Sequence, residues 1–269
     1  MKNDDFGDRM KIFEKMEVGR KFMPKLPVCV RIDGKTFSSW TRGLVRPYDE
    51  RLVTLMVNTT EYLVEQTNAV IGYIQSDEIS LMFYSDDLKS QIFFDSKIQK
   101  IVSVLASMTT AYFNSQVPYR IPEKAEKMAL FDARAWNVPS IEEATNVFVW
   151  REMDATRNSV SMAAQHYFSH KKLQGKSCSQ MQDMLMLEKS VNWNDYPSFF
   201  KRGTYVRREK VIRKFTTEEI DKLPAKHEAR MDPELEIERT QVKVLNLPPI
   251  TTVDNRVVVI CCGQDPIVK

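Results

Sequence analysis

Two short β-rich runs, Val70 to Gln75 and Ile79 to Tyr84, are separated only by Ser76-Asp77-Glu78. A linker this short cannot carry a crossover, so the runs form either one long strand or an antiparallel hairpin. We take the hairpin, with Asp77 at its turn. That pairing restricts what its neighbours can do. Upstream, Val28, Val30 and Ile32 alternate with Cys29, Arg31 and Asp33 until Gly34 stops the pattern, which is the period of a half-buried strand. Asp33 therefore belongs at a strand's C-terminal tip.

Helical spacing fills the intervals. Leu52, Leu55, Met56, Tyr62 and Leu63 repeat at threes and fours within 49–66, and Ile98, Ile101, Val102, Leu105, Met108 and Tyr112 do so ahead of a break expected at Pro118 to Pro122. Strand character returns from Met128 to Trp136. Strand, helix, strand, strand, helix, strand is the split βαβ order, so the expected class is α+β: a ferredoxin-like, palm-type antiparallel sheet with helices on one face. Residues 1–138 would make this unit. Residues 139–269 would be a mainly helical, basic region packed on it as part of one structure. Ser140 and Glu143 have capping-box spacing, Val147 to His170 reads as one or two helices, and another starts near Ser179. Val257 to Cys262 reads as a short apolar strand.

Composition sets outer limits. Of 269 residues 43% are hydrophobic and 28% charged, enough for a real core beneath a wet surface. No apolar run approaches the roughly 18 residues that span a bilayer, so a cytoplasmic protein is expected. Cys29, Cys178, Cys261 and Cys262 have no CxxC spacing and read as reduced thiols. The net charge of +3 hides two opposed blocks. Lys201, Arg202, Arg207, Arg208, Lys210, Arg213 and Lys214 face a single acid, Glu209, whereas 217–238 is strongly acidic. The basic block reads either as a solvated strand and loop or as a contact for RNA phosphates; its charge density favours RNA.

Asp33 and Asp77 on neighbouring strand tips, beside the Gly34 turn, suit magnesium, which takes few carboxylates and keeps waters and phosphates as its other ligands. By spacing alone the same residues also read as two ordinary turns. Arg31-Ile32-Asp33-Gly34-Lys35-Thr36-Phe37, then Gln75-Ser76-Asp77-Glu78-Ile79-Ser80, then Phe131-Asp132-Ala133-Arg134 resemble, in order, the motifs of the tRNA-histidine guanylyltransferase family, the 3'-5' polymerases. Trp150-Arg151-x-x-Asp154, Asn192-Trp193-Asn194 and Lys201-Arg202-Gly203-Thr204 continue the series, so the resemblance runs from about Phe6 to Arg208.

The resemblance implies a palm running in reverse, which joins the 3'-hydroxyl of an incoming nucleotide to a tRNA 5' end activated as a triphosphate or by ATP. It implies two Mg2+ per active site, held by Asp33, Asp77 and the Gly34 carbonyl. Lys35, Thr36, Phe37, Ser38 and Ser76 would line the GTP or other nucleoside triphosphate. Arg46 and Asn158 would join them. Arg31, Lys100, Arg134, Lys201, Arg202, Arg207 and Arg208 would meet tRNA or triphosphate. On residues alone, Arg134 can instead pair with Asp132, and Lys100 can be a solvated helix residue. Family members assemble from dimers, so a homo-oligomer, dimer or tetramer, is implied as well.

One departure matters. Where members that add an extra G to histidine tRNA carry His-Ile-Asn-Asn, this chain has Thr156-Arg157-Asn158-Ser159. That resembles the bacterial-type branch, which prefers templated repair of 5'-truncated tRNA. Addition of a 5' G, a nucleotide-only palm enzyme and a non-catalytic RNA-binding module stand as alternatives. His166 and His170 lack a third ligand, Ser169-x-x-Lys172 lacks its companion motifs, and Met181, Met184 and Met186 read as core.

Overall fold

The computed structural model describes residues 5–232 and 234–269. Its six strands are β1 (Val28–Gly34), β2 (Ile71–Gln75), β3 (Glu78–Phe83), β4 (Phe131–Asn137), β5 (Thr204–Lys214) and β6 (Glu236–Leu245). Its α-helices are α1 (Asp5–Val18), α2 (Phe37–Trp40), α3 (Glu50–Thr67), α4 (Ile98–Arg120), α5 (Ile141–Tyr167), α6 (His170–Leu173), α7 (Cys178–Lys189), α8 (Ser198–Arg202), α9 (Thr217–Lys222), α10 (Glu228–Met231) and α11 (Arg256–Cys262). Among the described residues no helix is long and apolar enough to cross a membrane.

The sheet order is β4-β1-β3-β2-β5-β6, antiparallel throughout. The first four strands have the ferredoxin-like order expected from the sequence, and β5 continues the sheet by pairing with β2. The C-terminal half thus supplies two strands as well as helices, and the sheet passes across residue 138 without interruption.

Strand alternation builds two cores. Val28, Val30, Ile32, Ile79, Leu81 and Phe83 turn toward α3 and α4, where they meet Leu55, Leu63, Ile101, Leu105 and Phe113. Cys29, Ile71, Tyr73, Met82 and Tyr205 turn to the other face, against Ala144, Phe148 and Ala155 of α5 and Val259 and Ile260 of α11. A smaller cluster ties the end of α5 to α6, α7 and α8. Local chemistry sets the ends of the elements. Asp49 caps α3 by accepting from the Arg51 N–H at 3.1 Å, and Asn68 closes it in the left-handed region. Ser140 caps α5 through the Glu143 N–H; that half of the capping box forms.

Three sequence expectations change. α4 runs two residues past Pro118, because a proline in the last turn costs only one helical bond. Val257 to Cys262 lies in α11, not in a strand: a short apolar run cannot be assigned by periodicity, and Gly263 at φ 75° ends a helix. Three of the seven cations of the basic block are paired with the acidic block. Lys210 pairs with Glu238 at 2.9 Å, Arg213 with Glu219 at 2.7 Å and Lys214 with Glu234, while Lys243 of β6 meets Glu209 at 2.9 Å. Exposed pairs of this kind add little stability, but they occupy the cations.

α3 packs so closely on β2 that only a glycine fits at 72. A Cβ there would stand 2.7 Å from Thr60 Cγ2 and 2.9 Å from Val64 Cγ2. Gly72→Ala should therefore destabilise the protein by about 1–3 kcal/mol through overpacking. Thermal denaturation should show a fall of several degrees in Tm; an unchanged Tm would mean that α3 yields without cost.

Candidate active site at the strand tips

β1 ends at Gly34 and the β2–β3 turn is Ser76-Asp77. Because Ile32 faces Ile79 across the β1–β3 ladder, the two acidic tips finish side by side. Ser76 at φ 55° and Thr36 at φ 52° put a left-handed, non-glycine residue in each bend next to the acids, a local cost that the packed sheet sustains. Gly34 is needed for close approach: a Cβ there would lie 2.9 Å from Asp77 Oδ2 and 2.5 Å from the Phe37 ring.

Asp77 separates two cavities. The larger, about 480 Å³, is walled by Gly34, Thr36, Phe37, Ser38, Arg46, Tyr48, Leu52, Val57, Ser76 and Phe200. Its size suits a nucleoside-sized ligand. Phe37 serves it from beneath, stacked on Trp40 with ring centroids 5.1 Å apart and packed against Phe113 and Phe131. The smaller, about 340 Å³, is polar and gathers Asp33, Gln75, Ser76, Asp77, Glu78, Arg151 and Asn158.

Burial, and then the nearby Asp33 charge, push the Asp77 carboxyl up from 3.8 to about 6. Burial raises Glu78 too, but Arg151 opposes it by donating at 2.5 and 2.8 Å. Through Glu78 this buried guanidinium braces α5 onto β3, and within α5 it also pairs with Asp154 at 3.1 Å. Arg31 Nε is 3.9 Å from Glu78, too far for a hydrogen bond. Neither that atom nor the Oγ of its cross-strand neighbour Ser80 has a hydrogen-bond partner.

The structure gathers many of the residues singled out from sequence. Asp33, Gly34, Ser76, Asp77 and Asn158 lie at the polar centre, and Thr36, Phe37, Ser38 and Arg46 at the larger cavity. Lys35 is exposed on the turn, where its backbone N–H donates to Leu130. Arg134 pairs with Asp132 at 3.3 Å, the alternative its sequence position offered, and also stands 4.0 Å from Asp33 Oδ2. Lys201 donates to the Asn194 carbonyl beside the Trp193 ring, and Arg202 borders a separate cavity with Glu152 and Tyr205. Arg208 is half-buried in β5 opposite Val242.

Two expected contacts are not brought to the site. Lys100 lies exposed in the first turn of α4, about 15 Å along the axis from Thr110, whose hydroxyl accepts from Phe131 at the site end of β4. Arg207 is buried and donates to the Val259 carbonyl at 2.6 Å, so it holds α11 and cannot meet RNA. Sequence reasoning missed the bracing role of Arg151 and the Tyr48–Phe200 wall, although Phe199-Phe200 directly before the Lys201-Arg202-Gly203-Thr204 motif was a usable signal.

Comparison with known proteins agrees with this architecture. The family described as Thg1, tRNAHis guanylyltransferase, matches residues 7–139. A bacterial tRNA(His) guanylyltransferase (Thg1)-like protein solved in complex with ATP is 42% identical, with a TM-score of 0.72 over 76% of this chain and 87% of that one. The chain belongs to the Thg1 family, a family of nucleotidyltransferases. A Thg1-like bacterial protein in complex with GTP is 34% identical, with a TM-score of 0.70 over 92% of this chain and 94% of that one. An uncharacterized protein of Acanthamoeba polyphaga mimivirus is 31% identical over 231 residues, 77% of this chain and 78% of that protein.

The raised Asp77 carboxyl has a stability consequence in this Thg1-family chain. Below about pH 4 the group is protonated both folded and unfolded and contributes nothing. As pH rises, the unfolded chain loses its proton first, so stability falls until the folded group ionises near pH 6. Asp77→Asn should therefore stabilise the metal-free protein at pH 8 by about 3 kcal/mol and change its stability at pH 4 far less. Paired thermal melts at the two pH values test this; an equal gain at both would remove the charge from the explanation.

Proposed function

We propose that this protein adds nucleotides in the 3'-5' direction to the 5' end of tRNA, directed by the opposite strand, and so repairs 5'-truncated tRNA. The carrying observation is the pair of acidic strand tips placed between a nucleoside-sized cavity and a polar one. Family membership and the ATP- and GTP-bound bacterial relatives support nucleoside triphosphates as substrates.

The donor set fits magnesium. Asp33 and Asp77 offer hard oxygens, the Gly34 carbonyl adds a third, and the absence of a side chain at 34 leaves space beside Asp77. Among the described residues no group of three or more His, Cys, Asp or Glu forms a richer cage, which suits an ion that keeps waters and substrate phosphates. When bound there, magnesium supplies neutralisation of phosphate charge and activation of the attacking hydroxyl. The larger cavity orients the incoming nucleotide so that its 3'-hydroxyl faces the tRNA 5' end. The new O3'–phosphorus bond forms as the bond to pyrophosphate breaks, or the bond to AMP if ATP has first adenylylated a 5'-monophosphate. Arg134 and Asn158 border this centre and neutralise or orient phosphate oxygens.

Templated repair is favoured over addition of a fixed 5' G by the stretch 156–159 on α5. Thr156 donates to the Glu152 carbonyl, Arg157 pairs with Asp154 at 2.8 Å, and Ser159 is buried, accepting from the Trp193 indole at 3.2 Å. Of the four, Asn158 alone lines the polar cavity, where it borders Asp33 and Asp77.

The test is incorporation of labelled nucleotide into a 5'-truncated, 5'-triphosphorylated tRNA with magnesium. Wild type should add the nucleotide complementary to the opposing base, and changing that base should change the addition. Asp33→Ala and Asp77→Ala should each reduce incorporation by on the order of a thousandfold while remaining folded. Wild type that adds nothing to truncated or intact tRNA with ATP and GTP present would sink the proposal.

A further inference from the structure

Tryptophan is a largely buried residue as a rule, yet Trp150 on α5 is 48% exposed. It is also held in place. The Arg151 guanidinium lies 4.6 Å from its ring centroid and that of Arg31 5.8 Å. Arg151 is fixed to Glu78 by two hydrogen bonds, and Glu78 adjoins Asp77 in sequence. The ring's position is therefore tied to the same turn that carries one of the paired acids.

Its surroundings suit a nucleic-acid end. Trp150, Met153 and Arg157 recur at i, i+3 and i+7, so an aromatic ring, a soft apolar side chain and a cation lie along one exposed stripe of α5. Arg134 faces Arg31 across the β1–β4 ladder and approaches Asp33 at 4.0 Å, which places cations between the ring and the acids. Arg151, whose guanidinium lies against the ring, also lines the polar cavity, so Trp150 adjoins that cavity, and Asn158 follows eight residues or about 12 Å further along α5. The opposite approach to the acids is taken by the larger cavity, walled by α2 and α3. One ring among arginines is a poor match for an apolar protein surface and a good one for a nucleobase with its phosphates.

We propose that Trp150 is the stacking platform for the terminal base of the tRNA acceptor end, so that RNA reaches Asp33 and Asp77 from the β4 side while the nucleotide reaches them from the α3 side. This rests on the proposed tRNA-directed activity.

The experiment compares wild type, Trp150→Ala and Trp150→Phe on a truncated, triphosphorylated tRNA carrying 2-aminopurine at its 5'-terminal position. Wild type should quench the probe on binding. Trp150→Ala should abolish the quench and raise KM for tRNA about tenfold, the loss of one stacked base, with kcat, KM for nucleotide and Tm nearly unchanged. Trp150→Phe should restore much of both. The platform is overturned if Trp150→Ala keeps the quench and the tRNA KM, if it raises the nucleotide KM instead, or if light scattering shows that it only changes the oligomeric state. Wild type that neither binds nor extends the tRNA removes the proposed activity, and the platform with it; extension by wild type with an unaffected Trp150→Ala removes the platform alone.

Discussion

The site depends on holding two carboxylates together where neither has full access to water. Left to themselves, Asp33 and Asp77 would separate; burial and mutual repulsion already lift the Asp77 carboxyl to about 6. Separation is prevented by the β1–β3 ladder, which fixes the two tips in register, and by hydrophobic layers on both faces of the sheet that make slippage expensive. That repulsion would be relieved by positive charge placed between the acids, which is the role proposed for magnesium.

Around that pair the polar side chains form two sets. Glu78 accepts from Arg151, Arg151 also holds Asp154, Asp154 holds Arg157, and Arg134 spans Asp132 and Asp33. Two of these contacts link different elements, Glu78–Arg151 joining β3 to α5 and Arg134–Asp33 joining β4 to β1, so those pairs are positioned by charge as well as by packing. Arg151 is the crucial member, since a buried guanidinium deprived of its carboxylates would be far costlier than an exposed one.

Much of this was legible in the sequence. The alternation through Val28 to Ile32 and the tight Ser76-Asp77-Glu78 linker place both acids at strand tips, and the four-strand order follows from element order alone. What could not be read depends on partners distant in sequence. β6 carries too few alternating apolar residues to announce a strand, so its Glu238, and the Glu219 and Glu234 that the returning chain brings beside β5, could not be matched to Lys210, Arg213 and Lys214. Arg207 belongs to a cationic run, yet strand alternation sends it into the interior against α11. Val257 to Cys262 is apolar throughout, and only its docking on α5 makes it helical. The exposure of Trp150 is likewise a property of how α5 lies on the sheet, and nothing in its local sequence shows it.

The two faces of the sheet draw their cores from different stretches of chain. Apart from Val206, the buried residues of the α3–α4 face lie between Phe22 and Phe131. The other face needs Ile250, Val253, Val259 and Ile260, and Glu152 fastens that late segment by accepting from the Ile250 N–H at 2.8 Å. During synthesis the strand tips that carry Asp33 and Asp77 can be backed on one side long before the opposite side has any of these late residues to close it. The face of the sheet on which α5, with Arg151 and Trp150, lies is therefore completed by residues about a hundred positions further along the chain.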